Sequence, residues 1–474
     1  MLINNFNDLQ IPEYVIIGAG PAGTTLADQL SQANKTVLLL EGGGEEVSEI
    51  NQNRYKGKVI GDKYFDLDVT RLRYFGGSSN HWGGNCAPLD ETDFAEWPIN
   101  KKDLDKYNFK TKKILNINEK FQKYEKSIFE SFKLSSILES DVNFKEKYLE
   151  QFKKDKNIYL MLNASLIKIN SDKENNYVQS LLIKKDKSTK NLNVTKNTKI
   201  ILSCGGLENS RILLWSRVKS QNNFLKGLPI GRYWMEHPSG EIAQFLGEED
   251  RINKVFKNKK NFFLVPSKTF IESENLNNIR FNFMFWKKIN DKSISHYIKD
   301  LVCVAPNLGK KIIEKISENI VHCVSVVKFS SEQKPDFNNC VKLSKTEYDD
   351  LGIPKIELHW NISDDVFITL KKSLEKLGEE TINLNIGRIG IDKYVYEKSF
   401  KESNDIFGNH HHMGGTIMSS NVRKGVVDKN LKVENTNNLY VLGSSVFSSG
   451  GHFNPTFTIV QLALRLANHL KNTI

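Results

Sequence analysis

Gly18, Gly20 and Gly23 stand at the spacing G-x-G-x-x-G, and Glu41 lies 23 residues after the first of them. Glycines so placed permit a tight turn, a close backbone approach to a pyrophosphate and close packing of a helix on a strand. A carboxylate at that distance accepts hydrogen bonds from a ribose 2′-OH and repels a 2′-phosphate. A second glycine-dense stretch, RLRYFGGSSNHWGGNCAP from Arg71 to Pro88, carries the conformational cost of glycine, and a bare turn is one reading of it. Such a stretch suits a backbone that must lie against a flat or anionic group. A third cluster, His410-His411-His412, invites a metal reading. Consecutive side chains point in different directions, however, and no carboxylate or cysteine stands at ligand spacing, so no metal is expected.

The elements that must position these groups are legible. Tyr14 to Ile17 is a short apolar run of the kind buried on both faces of a parallel sheet, Pro21 opens a helix, and Val37 to Leu40 is the next strand. The helix N-terminus offers free N–H groups and a favourable dipole to phosphates. The stretch 44–68 reads as a connection, and 101–154 as a mostly helical, charged excursion. Strands are expected at 158–168, 177–184 and 199–203, the last leading into a helix through Trp215. Between 240 and 398, strands at 261–265, 279–286, 321–329, 340–343 and 355–360 precede a helix from Asp364 to Leu377, the pattern of an antiparallel sheet with helices on one face. The strand Leu439 to Gly443 and a helix opening at Thr456 close the chain.

At 474 residues the chain has room for two domains. With 39% hydrophobic and 26% charged residues it has the composition of a soluble globular protein, and no apolar run is long enough to span a membrane. The polar start MLINNFNDLQ shows no export signal, so the cytoplasm is expected. The net charge of +11 arises from lysines interspersed with acids, which argues against a nucleic-acid surface. Cys86, Cys204, Cys303, Cys323 and Cys340 show no CxxC spacing, which argues against disulfide, zinc, iron–sulfur or haem frameworks.

Taken together, the N-terminal unit and the segment Gly76, Gly77, Ser79 and Gly84, with Glu96-Trp97-Pro98-Ile99 after it, resemble the glucose–methanol–choline (GMC) family of FAD-dependent oxidoreductases. Gly231 to Pro238, GRYWMEHP, and 332–360 resemble further family segments. The resemblance implies an α/β fold: a Rossmann-like FAD-binding domain with a second, α+β substrate domain built on an antiparallel sheet. Residues 1–239 and 401–474 would form the first and 240–400 the second, which would roof the flavin. FAD would be held by Gly18, Gly20, Gly23, Glu41, Gly76, Gly77, Ser78, Ser79, His81, Gly83, Pro455 and Thr456. In pyranose and choline oxidases a histidine at the position of His81 is bonded to the flavin 8α-methyl group, so His81 is either that attachment point or a packing residue. The resemblance makes His237 a structural residue at the domain junction.

By the same resemblance, His411, followed by Gly414 and Gly415, is the catalytic base, and Asn454, rather than His452, is its partner. The chemistry agrees. A neutral imidazole can take a hydroxyl proton near neutral pH, and an amide can hold the same oxygen without competing as a base. The helix near Thr456 can stabilise charge gathered on N1 and O2 of reduced flavin. The expected activity is oxidation of an alcohol group, leaning to a sugar or polyol, with oxygen, a quinone or a redox partner protein as electron acceptor. An NAD-linked dehydrogenase is an alternative, because the glycine motif does not separate FAD from NAD. A redox-silent flavoprotein, a lyase or an assembly subunit, is another.

Overall fold

The computed structural model describes all residues but 5–11, 118–123, 173, 175, 187, 221–222, 248–254, 256–261, 285–323, 399–405 and 473–474. A five-stranded parallel sheet runs in the order Leu439–Val441, Lys199–Leu202, Tyr14–Ile17, Val37–Leu40, Ile158–Met161. These runs are short, apolar and almost wholly buried, as strands covered on both faces must be. Their register sets Ile17 beside both Leu40 and Leu202. Gly18 N–H donates to Leu40 O at 2.8 Å and Ser203 N–H to Ile17 O at 2.8 Å, so the loops after three strands emerge side by side. That edge, at the carboxyl ends of the strands, is where open α/β sheets bind ligands.

The glycine motif explains the turn. Gly18 has φ of +102°, and a Cβ there would stand 2.6 Å from Ser203 O. At Gly23 a Cβ would stand 2.0 Å from Gly18 O, so only glycine lets helix Pro21–Ser31 lie this close to the strand before it. That helix packs in turn against the last one, Thr456–Lys471.

A second sheet is antiparallel, in the order Gly387–Ile391, Ser239–Gly247, Val324–Ser331, Ile279–Met284, Phe262–Pro266, Phe132–Ser136, Tyr124–Glu125, with Ile406–Phe407 also on Ser239–Gly247. Its apolar face, including Leu134, Phe245, Leu264, Phe281 and Phe329, packs with Val366, Leu370, Leu374 and Leu377 of helix Asp364–Asn383. Among the described residues no helix is long and apolar enough to cross a membrane.

Four expectations are corrected. The excursion at 101–154 is not only helical, since Phe132–Ser136 pairs with Phe262–Pro266 and joins the large sheet across the expected boundary at 239. The strands Cys340–Tyr348 and Pro354–Trp360 leave that sheet and instead form a separate one with Gly57–Gly61. Trp234, Trp360, Leu358 and Leu67 give this small sheet its own core, and Trp360 Nε1–H donates to Gln333 Oε1 at 2.8 Å. The connection at 44–68 therefore contains a strand, and a short helix, Glu49–Asn53. Finally, 158–168 is two strands, because Asn163, at φ +52°, turns the chain beneath the Glu41 loop, where its N–H donates to Gly43 O and that of Ala164 to Glu41 O. Cys303 and Cys323 lie outside the described residues.

The two glycines of the turn separate packing from ligand approach. Gly23→Ala should cost about 1–3 kcal/mol of stability through forced movement of helix or strand. Gly20→Ala, whose Cβ would meet nothing within 4 Å, should change stability by less than about 0.5 kcal/mol. Thermal or denaturant unfolding of the cofactor-free variants checks both, and equal effects would refute this division.

Candidate active site

One cavity of about 810 Å³ opens at the carboxyl ends of the parallel strands. Gly18, Gly20, Glu41, Gly77, Ser78, Ser79, His81, Gly83, His411, Asn454, Pro455 and Thr456 all line it, although they come from four distant parts of the chain. Gly23 and Gly76 stand behind the wall: Gly23 packs on Gly18, and Gly76 N–H donates to Ala19 O at 2.9 Å. Ser79 is buried and donates to Gly76 O at 2.7 Å, so it shapes the loop.

At one end the Glu41 carboxylate accepts from Ala19 N–H at 2.9 Å and Gly43 N–H at 2.8 Å, which pins it across the glycine turn. Lone pairs remain for a ribose. Gly20, Gly205 and Gly443 each leave open space where a Cβ would stand, so three backbone surfaces face the cavity bare. Helix Pro21–Ser31 has no side-chain cap at Gly20, and helix Thr456–Lys471 none at Pro455. Their first N–H groups are thus left for a ligand's anionic atoms. An extended dinucleotide fits this set.

At the other end the three histidines diverge. His410 packs edge-on to Phe65, with ring centroids 4.4 Å apart, and His412 Nε2 lies 3.1 Å from Tyr64 Oη. His411 meets His237, Nδ1 to Nδ1, at 2.8 Å. His237 Nε2 lies 3.3 Å from Gly450 O, and a carbonyl can only accept, so that nitrogen carries the proton. In a neutral His237, Nδ1 is then an acceptor, His411 Nδ1 must be the donor, and His411 Nε2 is left with its lone pair. Burial pushes His237 down to about 3, and burial, with His237, Arg280 and the adjacent histidines, holds His411 well below the ordinary imidazole range, so both are neutral.

Glu236 fixes the backbone of this pair. Its Oε1 accepts from His237 N–H at 2.8 Å and His411 N–H at 2.9 Å, and Oε2 accepts from Tyr64 O–H. Because the Tyr64 hydroxyl proton is spent on Glu236, Tyr64 Oη accepts from His412 Nε2–H. His410, at φ +61°, makes the turn that aims His411 N–H at Glu236. Burial pushes the Glu236 carboxyl up to about 7, against the donors that favour its ionised form.

Asn454 Oδ1 lies 3.0 Å from Nη2 of Arg280. A guanidinium only donates, so the carbonyl end of the amide faces Arg280 and its NH₂ is left to donate elsewhere. His452, two residues earlier, is buried and lines a different cavity, beside Asp93 and Glu332. His81 ends the short helix Gly77–Asn80 and is exposed at the cavity wall.

Sequence reasoning did not find Tyr64, Glu236 or Arg280, and it gave His237 a junction role where the structure sets it against His411. Only Arg280 had a readable signal: in Ile279–Met284 the core takes Ile279, Phe281 and Phe283, and the alternation leaves Arg280 and Asn282 on the other face.

Residues 335–463 match the family described as GMC oxidoreductase. A segment of 167 residues is 31% identical to the fructose dehydrogenase large subunit of Gluconobacter japonicus, covering 35% of this chain and 28% of that subunit. A segment of 102 residues is 36% identical to the oxygen-dependent choline dehydrogenase of Vibrio vulnificus (strain YJ016), 18% of each chain. The aligned segments thus span less than a third of these curated relatives. The whole fold is similar to pyridoxine 4-oxidase from Mesorbium loti, with a TM-score of 0.60, 13% identity and coverage of 96% of this chain and 98% of that one. It is equally similar to formate oxidase, at a TM-score of 0.60, 14% identity and 97% and 98% coverage. GMC oxidoreductases bind FAD, and the cavity described above fits that group.

The shifted groups set a pH dependence. A base whose pKa is lowered keeps its active, unprotonated form to lower pH, so His411 should give no acid limb near 6.5 in kcat/KM. Glu236, pushed up to about 7, is protonated below that value and should set the limb nearest neutrality. The expected profile falls as pH drops through about 7, and in Glu236→Gln that limb disappears. A limb at 6.5 that survives Glu236→Gln would refute the neutral imidazole pair.

Proposed function

We propose that this chain, which carries a GMC oxidoreductase domain over residues 335–463, is an FAD-dependent oxidoreductase that oxidises an alcohol group of a sugar or polyol. The observation that carries the proposal is the bond between His411 and His237, which leaves the His411 Nε2 lone pair available in the cavity that also holds Asn454 and the dinucleotide loop. The likeness of the segments to fructose dehydrogenase and choline dehydrogenase supports an alcohol substrate, and the first of these supports a sugar.

Residues 1–239 and 401–474 would bind FAD, apart from the strands Tyr124–Glu125, Phe132–Ser136 and Ile406–Phe407, and 240–400 would bind substrate, apart from the small sheet at 340–360. Gly18, Gly20 and the N-terminus of Pro21–Ser31 would hold the pyrophosphate and Glu41 the ribose. Residues 77–83 would lie along the flavin. Bound FAD supplies the hydride acceptor. Asn454 donates from its NH₂ to the substrate hydroxyl oxygen and orients it, which is worth most in a site closed to water. His411 takes the hydroxyl proton on Nε2 while its Nδ1–H stays on His237, so the ring cannot rotate away as it changes charge. Glu236, ionised below the two backbones, offsets the positive charge that His411 then holds.

Two experiments test this reading. The purified protein should show a flavin band that fructose or a polyol bleaches without oxygen. His411→Ala should keep the band and slow bleaching by about 10²–10⁴-fold, the usual worth of a general base. Normal bleaching in that variant would remove His411 from the chemistry. After acid precipitation the flavin should stay with the pellet and be released by His81→Ala. A wild-type flavin found in the supernatant would reduce His81 to packing.

A further inference from the structure

Arg280 is a half-buried cation that has no acid beside it among the described residues. Its strand sends Ile279, Phe281 and Phe283 into the core and turns Arg280 to the opposite face, where it lines the main cavity beside Asn454. Nη2 donates to Asn454 Oδ1, the guanidinium lies 5.0 Å above the Phe263 ring, and Nη1 is buried with no hydrogen-bond partner among the described residues. Elsewhere the buried arginines are matched: Arg71 pairs with Glu208 at 2.9 Å, and Arg211 pairs with Asp349 at 2.9 Å and Glu208 at 3.3 Å. The carboxylate on the same side of the large sheet, Glu241, is taken by Lys328 at 2.8 Å. Burial alone lowers Arg280, to about 10, and no described acid raises it, so it remains charged at neutral pH.

A guanidinium arm removed from water and left without a partner opposes folding, so such an arm is retained where a ligand completes it. Its place argues which ligand. Arg280 and Asn409 line both the main cavity and a second one of about 450 Å³ between Ser239, Phe263 and Lys328, whose lining includes neither the glycine turn nor Glu41. The planar fork, with one pair of donors partly used and one unused, matches a carboxylate's two oxygens and its single charge. We infer that Arg280 binds a carboxylate on the substrate, so that the alcohol oxidised at His411 belongs to a hydroxy acid or sugar acid. This rests on the alcohol-oxidising reading above and narrows its substrate class.

The test uses the FAD-loaded protein and two shape-matched probes that cannot be oxidised there, acetate and acetamide, titrated by calorimetry. Acetate should bind about 100-fold more tightly than acetamide to the wild type. Arg280→Met should abolish that preference and Arg280→Lys should restore part of it, which a role confined to folding or to holding Asn454 would not produce. Equal binding of the two probes by the wild type, or an acetate preference that survives Arg280→Met, would overturn the inference. Flavin bleaching by gluconate and sorbitol is read separately. Arg280→Met should lower kcat/KM for gluconate relative to sorbitol by about 100-fold, and an equal loss for both would assign Arg280 to Asn454 or the cofactor instead. Failure of every alcohol and hydroxy acid to bleach the flavin, with acetate binding still dependent on Arg280, would refute alcohol oxidation and leave the anion site standing.

Discussion

Two imidazoles that face each other Nδ1 to Nδ1, one buried and one half-buried, can share only one proton, and the carbonyl of Gly450 decides which ring supplies it. That constraint aims His411 and sets its tautomer, and much of the surrounding structure serves to maintain it. Met235 and Met413 exchange backbone hydrogen bonds of 2.8 and 3.0 Å, clamping the segment before His237 to the segment after His411. Glu236 accepts the N–H groups of both histidines, and Tyr64 and His412 complete its shell. Gly414 could not carry a side chain here, since a Cβ would stand 2.0 Å from Tyr233 O, so the two segments are in backbone contact along this seam.

The two ends of the cavity manage charge differently. Around the glycine turn, Arg71, Glu208, Arg211 and Asp349 form a closed buried network, and Arg71 stacks over Tyr55 at 4.0 Å. Breaking such a pair typically costs about 3–5 kcal/mol, because a lone charge is left behind. This network ties helix Gly205–Lys219 to the small sheet and makes a rigid wall. At the histidine end the wall contains polar groups with unspent capacity among the described residues: the lone pair of His411, the amide hydrogens of Asn454 and one arm of Arg280. The charges at the first end are thus paired within the protein, whereas those at the second are only partly paired among the described residues.

Local pattern reached far into this protein. The strand, turn, helix and strand from Tyr14 to Leu40 were legible because each step is decided within a few residues: apolar runs for buried strands, glycines where a Cβ would collide, proline at the first helical turn. The divergence of the three histidines followed from the direction of successive side chains. Less legible were places where two patterns are alike. The run at 158–168 is mostly apolar, and the left-handed turn at Asn163 divides it between sheets. The strands at 340–360 alternate as the members of the large sheet do, and which sheet they join depends on Trp234 and Trp360 meeting from remote parts of the chain.

The amino-acid sequence by itself determined the parallel strand–turn–helix–strand unit, the glycine-rich loop after it and the residue types available for chemistry, because these follow from sterics and hydrogen-bonding capacity within short segments. Only the tertiary structure decided how those types are used. His237 became the acceptor that sets the His411 tautomer, and Arg280 became the donor that orients Asn454, through contacts between residues 174 positions apart in each case. The proton position on a ring and the direction of an amide are set by whatever partner lies within about 3 Å, and that distance is a property of the folded chain alone.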